Sequence, residues 1–112
     1  MKYFYLTIAL LFSTAVQADT TICLGKVKAI SIHKPNNLYV SVGDSELFKI
    51  CSLQDTYNST SPEGCKAIFS LISSAKAMQK DIKIYVDNAP TTSCSSITKW
   101  FSADVVYVEQ QP

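Results

Sequence analysis

The stretch TSPEGCKAIFSLISSAKAMQK, Thr60 to Lys80, decides the fold, because it has helical periodicity in a chain that otherwise alternates like strands. A hydroxyl residue at its start can cap the free amide groups of a first turn. Pro62 suits that turn, and Glu63 stands three residues after Thr60 as in a capping box. Ile68, Leu71, Ile72, Ala75 and Met78 fall on one stripe, while Lys66, Ser70, Ser73, Ser74 and Lys80 face away, so the stripe is read as core packing. Working upstream, Ser52 to Ser61 is a polar loop. Before it come three strands with β-branched, alternating content: Leu24 to His33, Leu38 to Val42 and Glu46 to Cys51. Pro35-Asn36-Asn37 and Gly43-Asp44-Ser45 supply the turns between them, and Gly25 is a candidate bulge. Downstream, Asp81 to Asp87 alternates again, Asn88 to Ser96 is a second polar loop, and Val105 to Val108 is a last strand. The predicted order is strand, strand, strand, helix, strand, strand.

That order is the one used by the OB-fold, a five-stranded, partly open barrel, so the predicted fold class is mainly β with one helix, in an OB-fold-like architecture. Four cysteines follow the N-terminal segment: Cys23, Cys51, Cys65 and Cys94. An even number in a small exported chain implies two disulfides with three possible connectivities. Their spacings of 28, 14 and 29 residues include no Cys-x-x-Cys pair, and the one histidine, His33, stands apart from them, which argues against zinc. In the OB topology the first and fourth strands are antiparallel neighbours, which places Cys23 beside the end of the fourth strand and near Cys94. The end of the third strand leads from Cys51 to the helix start at Cys65. The topology therefore favours Cys23–Cys94 and Cys51–Cys65.

Residues 1–18 read as an export signal. Met1-Lys2 is a short cationic start, Tyr3 to Phe12 is apolar, and Ala18 ends a segment of small and short residues suited to cleavage. The apolar run is about 10 residues, short of the roughly 20 that span a bilayer, so the expected product is secreted or periplasmic with no membrane span. The remaining 94 of 112 residues make a single domain, 19–112. All ten basic residues are lysine, and without Lys2 nine lysines balance nine acidic residues. A neutral chain without arginine is not an electrostatically driven nucleic-acid binder. With 47% apolar and 11% aromatic residues, the chain is not a disordered one either.

Catalytic signatures are missing. Serines are plentiful, but none lies in Gly-x-Ser-x-Gly, and the three glycines build no phosphate loop. His33 reads as an exposed rim residue, and Asp81 and Asp87 as solvated strand ends. No cofactor and no metal are expected, and the chain is expected not to be an enzyme. A binding role is easier to sustain, since OB barrels take ligands on their central strands and adjacent loops. The candidates are Tyr39 and Ser41 on the second strand, and Tyr57, Asn58 and Thr60 in the long loop. Trp100 and Phe101 lie ahead of the last strand. Trp100 is a further ligand-binding candidate, set against the favoured reading that it plugs the core or the barrel end. Tyr85 and Tyr107 suit a binding face and a cross-strand packing pair equally well. Asn58-Ser59-Thr60 also matches a glycosylation sequon.

Taken together, the leader, Ile50-Cys51-Ser52-Leu53, Cys65-Lys66-Ala67, Ser74-Ala75-Lys76-Ala77, Ile82-Lys83-Ile84-Tyr85, Cys94-Ser95-Ser96-Ile97 and Trp100 resemble a known pattern. It is that of small exported bacterial proteins similar to the binding subunit of subtilase cytotoxin. The wider family implies OB-fold toxin B subunits that assemble as ring pentamers and bind a host glycan or glycoprotein, while a toxin A subunit does the chemistry. The chain departs from the toxin subunits in cysteine placement and lacks their longer loops. The expectation is an exported, non-catalytic, carbohydrate-binding module capable of forming a homo-oligomer. The alternative is a periplasmic inhibitor or immunity-type protein-binding module.

Overall fold

Residues 19–112 are described in the computed structural model, and the expected export signal at 1–18 lies outside them. The chain is mainly β. Strands β1 (Asp19–His33), β2 (Asn37–Val42) and β3 (Phe48–Ser52) precede helix α1 (Pro62–Met78), and β4 (Asp81–Ala89) and β5 (Val105–Gln110) follow it. All pairings are antiparallel, in the order β3-β2-β1-β4-β5. The expected element order and the β1–β4 neighbourhood are both present. The sheet is not closed into a barrel. Among the described residues its two ends meet at a parallel bridge between Lys49 on β3 and Ser102, ahead of β5.

β1 begins five residues earlier than its apolar alternation suggested, and its length lets it serve two partners. Its first half pairs with β4, from Asp19↔Ala89 to Lys26↔Asp81, and its second half with β2, from Val27↔Val42 to His33↔Asn37. The change of partner falls between Lys26 and Val27, just past Gly25, with a register shift between Val27 and Ala29. Gly25 has φ +156°, and a Cβ there would meet Gly43 Cα at 3.0 Å. β1 and the β2–β3 turn therefore approach backbone to backbone, secured by Gly43 N–H donating to Lys26 O at 2.9 Å. β3 starts at Phe48 rather than Glu46 because Ser45 is drawn into the turn, where its buried hydroxyl accepts from Val42 N–H at 2.9 Å.

The helix starts one residue later than a cap at Thr60 would give. Ser61 is the cap, its Oγ accepting from Gly64 N–H at 3.0 Å, with Pro62 in the first turn. It ends in Gln79, left-handed at φ 54°. Ile72 and Ala75 of the stripe are buried, as is Cys65 in the first turn, with Ile68 and Leu71 packed against the core at its edge. Met78, expected on the stripe, is 51% exposed. Below the helix, Leu38, Val40, Phe48, Ile50, Ile82 and Ile84 fill the interior.

Both expected disulfides are present, Cys23–Cys94 across 71 residues and Cys51–Cys65 across 14. By chain entropy they contribute roughly 4 and 3 kcal/mol. Tyr85 and Tyr107 stack at 5.4 Å as register partners. Substituting Gly25→Ala tests the β1 crossover. It is expected to cost about 1–3 kcal/mol, read as a lower midpoint in denaturant with unchanged slope. A midpoint equal to the parent's would contradict the close approach.

Candidate functional site

The outward side chains of β1, β2 and β3 form a row. Leu38 and Val40 point into the core, so Tyr39 between them points out. Its register partners are Ser31 on β1 and Lys49 on β3. His33, two residues beyond Ser31 on the same face, completes the patch at the end of β1. The β1–β2 turn, whose Lys34–Pro35 peptide is cis, follows directly.

Trp100 closes over this row from the β4–β5 connection. Its ring centroid lies 5.3 Å from Tyr39, edge-on, and 4.7 Å from His33, while His33 and Tyr39 are 4.7 Å apart. Trp100 is 45% exposed and therefore is not the expected plug. The plug position is taken by Ile97 and Ala103, which are buried on either side of it. Trp100 also has φ +71°, an uncommon backbone for a bulky residue. Three backbone hydrogen bonds fix it there. Trp100 N–H donates to Leu47 O at 2.7 Å, Lys49 N–H to Phe101 O at 2.7 Å, and Ala103 N–H to Lys49 O at 2.9 Å. Asn88 braces the same segment, donating from Nδ2 to Ser102 O at 3.2 Å and accepting at Oδ1 from Asp104 N–H at 2.6 Å.

Cations flank the rings. Lys99 Nζ lies 5.0 Å from the Trp100 ring centroid, and Lys49 Nζ lies 4.2 Å from that of Tyr57. Tyr57 and Thr60 exchange both backbone bonds across Asn58 and Ser59, which have φ 45° and 68°. That geometry makes a two-residue turn of the I′ kind and places Asn58 at an exposed tip. Tyr57 Oη is buried and lacks a hydrogen-bond partner among the described residues. Burial pushes the Tyr57 phenol above its ordinary range; the nearby Ser102 hydroxyl opposes that rise, and the Asp104 carboxylate adds to it.

Of the residues read from sequence, Tyr39 and Trp100 are in direct contact, and Tyr57 joins them through Lys49. Asn58 and Thr60 lie at the margin in the Tyr57 turn. Ser41 does not belong to the site, because its hydroxyl is buried and donates to Ser45 O at 2.6 Å. Phe101 turns toward the core. His33 is the residue sequence reasoning missed, half-buried between two rings rather than free on a rim. The i, i+2 spacing from Ser31 was the available signal, and it needed the register to be useful.

A cavity of about 390 Å³ lies elsewhere, lined by Lys26, Val27, Ala75, Lys76, Gln79 and Lys80. Of its cations Lys26 serves the helix end, its Nζ donating to Gln79 O at 2.8 Å and pairing with Asp81 at 3.6 Å. Among the described residues no His, Cys, Asp and Glu cluster could hold a metal ion. Among those residues, too, no helix is long and apolar enough to cross a membrane.

No protein-family model, curated protein or solved structure matches the chain.

Removing the orphaned hydroxyl with Tyr57→Phe is expected to leave stability unchanged or raise it by up to about 1 kcal/mol, because the ring keeps its Lys49 contact and a desolvated polar atom is lost. Denaturant unfolding checks this, and a loss above about 1 kcal/mol would show that the hydroxyl is satisfied.

Proposed function

We propose that the chain is an exported, non-catalytic binding module that holds a saccharide against Trp100, Tyr39 and His33. One observation carries the reading. The single tryptophan is held half-exposed, in an uncommon backbone conformation, by bonds to a neighbouring strand. A residue held that way supplies a fixed apolar face, and the lysines, the Tyr39 hydroxyl and Asn58 offer polar contacts around it. The patch falls on the central strands, the end of β1 leading into the β1–β2 turn, and the β4–β5 connection, the regions OB-type topologies use for oligosaccharides. Two disulfides fit the oxidising compartment that the expected leader implies. A host glycan or glycoprotein as ligand, a toxin A subunit as partner and a ring pentamer as assembly enter from the subtilase-cytotoxin resemblance.

The test is a glycan array probed with the oxidised protein and with Trp100→Ala. The parent is expected to retain a defined set of saccharides, and the variant to bind them roughly tenfold or more weakly with unchanged secondary structure. A parent that retains no glycan, or a variant that binds as well as the parent, would overturn the reading.

One observation favours a second reading, the periplasmic inhibitor or immunity-type protein. Ile22, Tyr85 and Tyr107 form an outward row across β1, β4 and β5, with exposed Leu24 and Val106 beside it. A protein partner would cover that row and leave the Trp100 patch free.

A further inference from the structure

Independently of what binds at Trp100, we infer that the outward face of β1, β4 and β5 pairs with the same face of a second copy of this chain, forming a two-fold dimer. Ile82, Ile84 and Val86 are buried on the core side of β4, so Lys83, Tyr85 and Asp87, which alternate with them, stand on the other side. Register places Ile22 of β1 and Tyr107 of β5 on either side of Tyr85, and Leu24 and Glu109 on either side of Lys83. Seven large apolar side chains are exposed among the described residues, and four of them, Ile22, Leu24, Val106 and Tyr107, lie on or beside this face. An antiparallel sheet that faces water is ordinarily polar on that side, so an apolar row there marks a contact surface.

The charges say what covers it. Lys83 and Asp87 lie two residues to either side of Tyr85 on β4, and neither has an ion-pair partner among the described residues. A half-turn about an axis along the Ile22–Tyr85–Tyr107 row maps that row onto itself and exchanges the places of Lys83 and Asp87. Two copies stacked about this axis, roughly 10 Å apart as packed sheets are, bring Lys83 of each opposite Asp87 of the other. The face is therefore complementary to itself, in charge as well as in its apolar centre. The Lys26–Asp81 pair lies at one margin, and Glu109 stands on the edge strand β5, at the rim. A face three strands wide, about 14 Å, is small for a protein interface, so the pair forms and dissociates with concentration.

Sedimentation equilibrium of the oxidised protein, from about 10 μM to about 1 mM, tests the pairing. The parent is expected to move from one chain toward two. Lys83→Glu sets like charges opposite each other at both contacts, and so does Asp87→Lys, so each variant alone is expected to associate roughly tenfold or more weakly. Mixed together, the two variants again present opposite charges at both contacts, and the mixture is expected to associate within about threefold of the parent. Tyr107→Lys, which alters the row and leaves the charge pair, is expected to weaken association by the same order as the single charge variants. A parent that stays a single chain at the highest concentration overturns the inference, whether another protein or only solvent covers the row. A ring pentamer, single variants that associate as the parent does, or a mixture that stays dissociated overturns it equally.

Discussion

Three backbone hydrogen bonds between Leu47 and Lys49, at the start of β3, and residues 100–103 hold the architecture together at the point where the sheet fails to close. Each strand of the sheet has its neighbour, but β3 and β5 are its two edge strands, and the polar β4–β5 connection runs between them. The parallel bridge at Lys49 brings those ends together. It also dictates where the connection must travel, and so where the tryptophan is displayed. Structural closure and the display of Trp100 are here the same contact.

The remaining devices support that contact from both sides. Cys23–Cys94 pins the start of the β4–β5 connection to β1, Asn88 braces its end, and buried Ile97 and Ala103 anchor the middle. Cys51–Cys65 ties the far end of β3 to the helix, which keeps the strand carrying Lys49 in place. A connection tethered this often loses little further freedom on binding, the condition under which a small aromatic patch can bind usefully.

Most of the fold was legible because its signals are local. The Thr60–Lys80 stripe, the alternation around Tyr39 and Tyr85, and the turn residues at Asn36 and Gly43 each carry their own period or chemistry. The disulfide pairing followed once the strand order was read. The site was legible only by residue type. Tyr39, Tyr57 and Trp100 could be named, but Ser41 was misassigned because nothing in the sequence shows that Ser45 captures its hydroxyl. Trp100 was read as a core plug because its exposure depends on a positive φ and on bonds to a strand some fifty residues earlier. His33 went unrecognised for the same reason, since its place between two rings depends on register and on that distant bridge.

Amide hydrogen exchange on the oxidised protein tests the bridge most directly. The account expects Lys49, Trp100 and Ala103 amides to exchange as slowly as those in the middle of β2 and β4, although two of the three belong to a connection rather than a strand. If Trp100 and Ala103 exchange as fast as the exposed residues Thr92 and Ser93, the bridge does not hold the tryptophan, and the patch built on it does not stand.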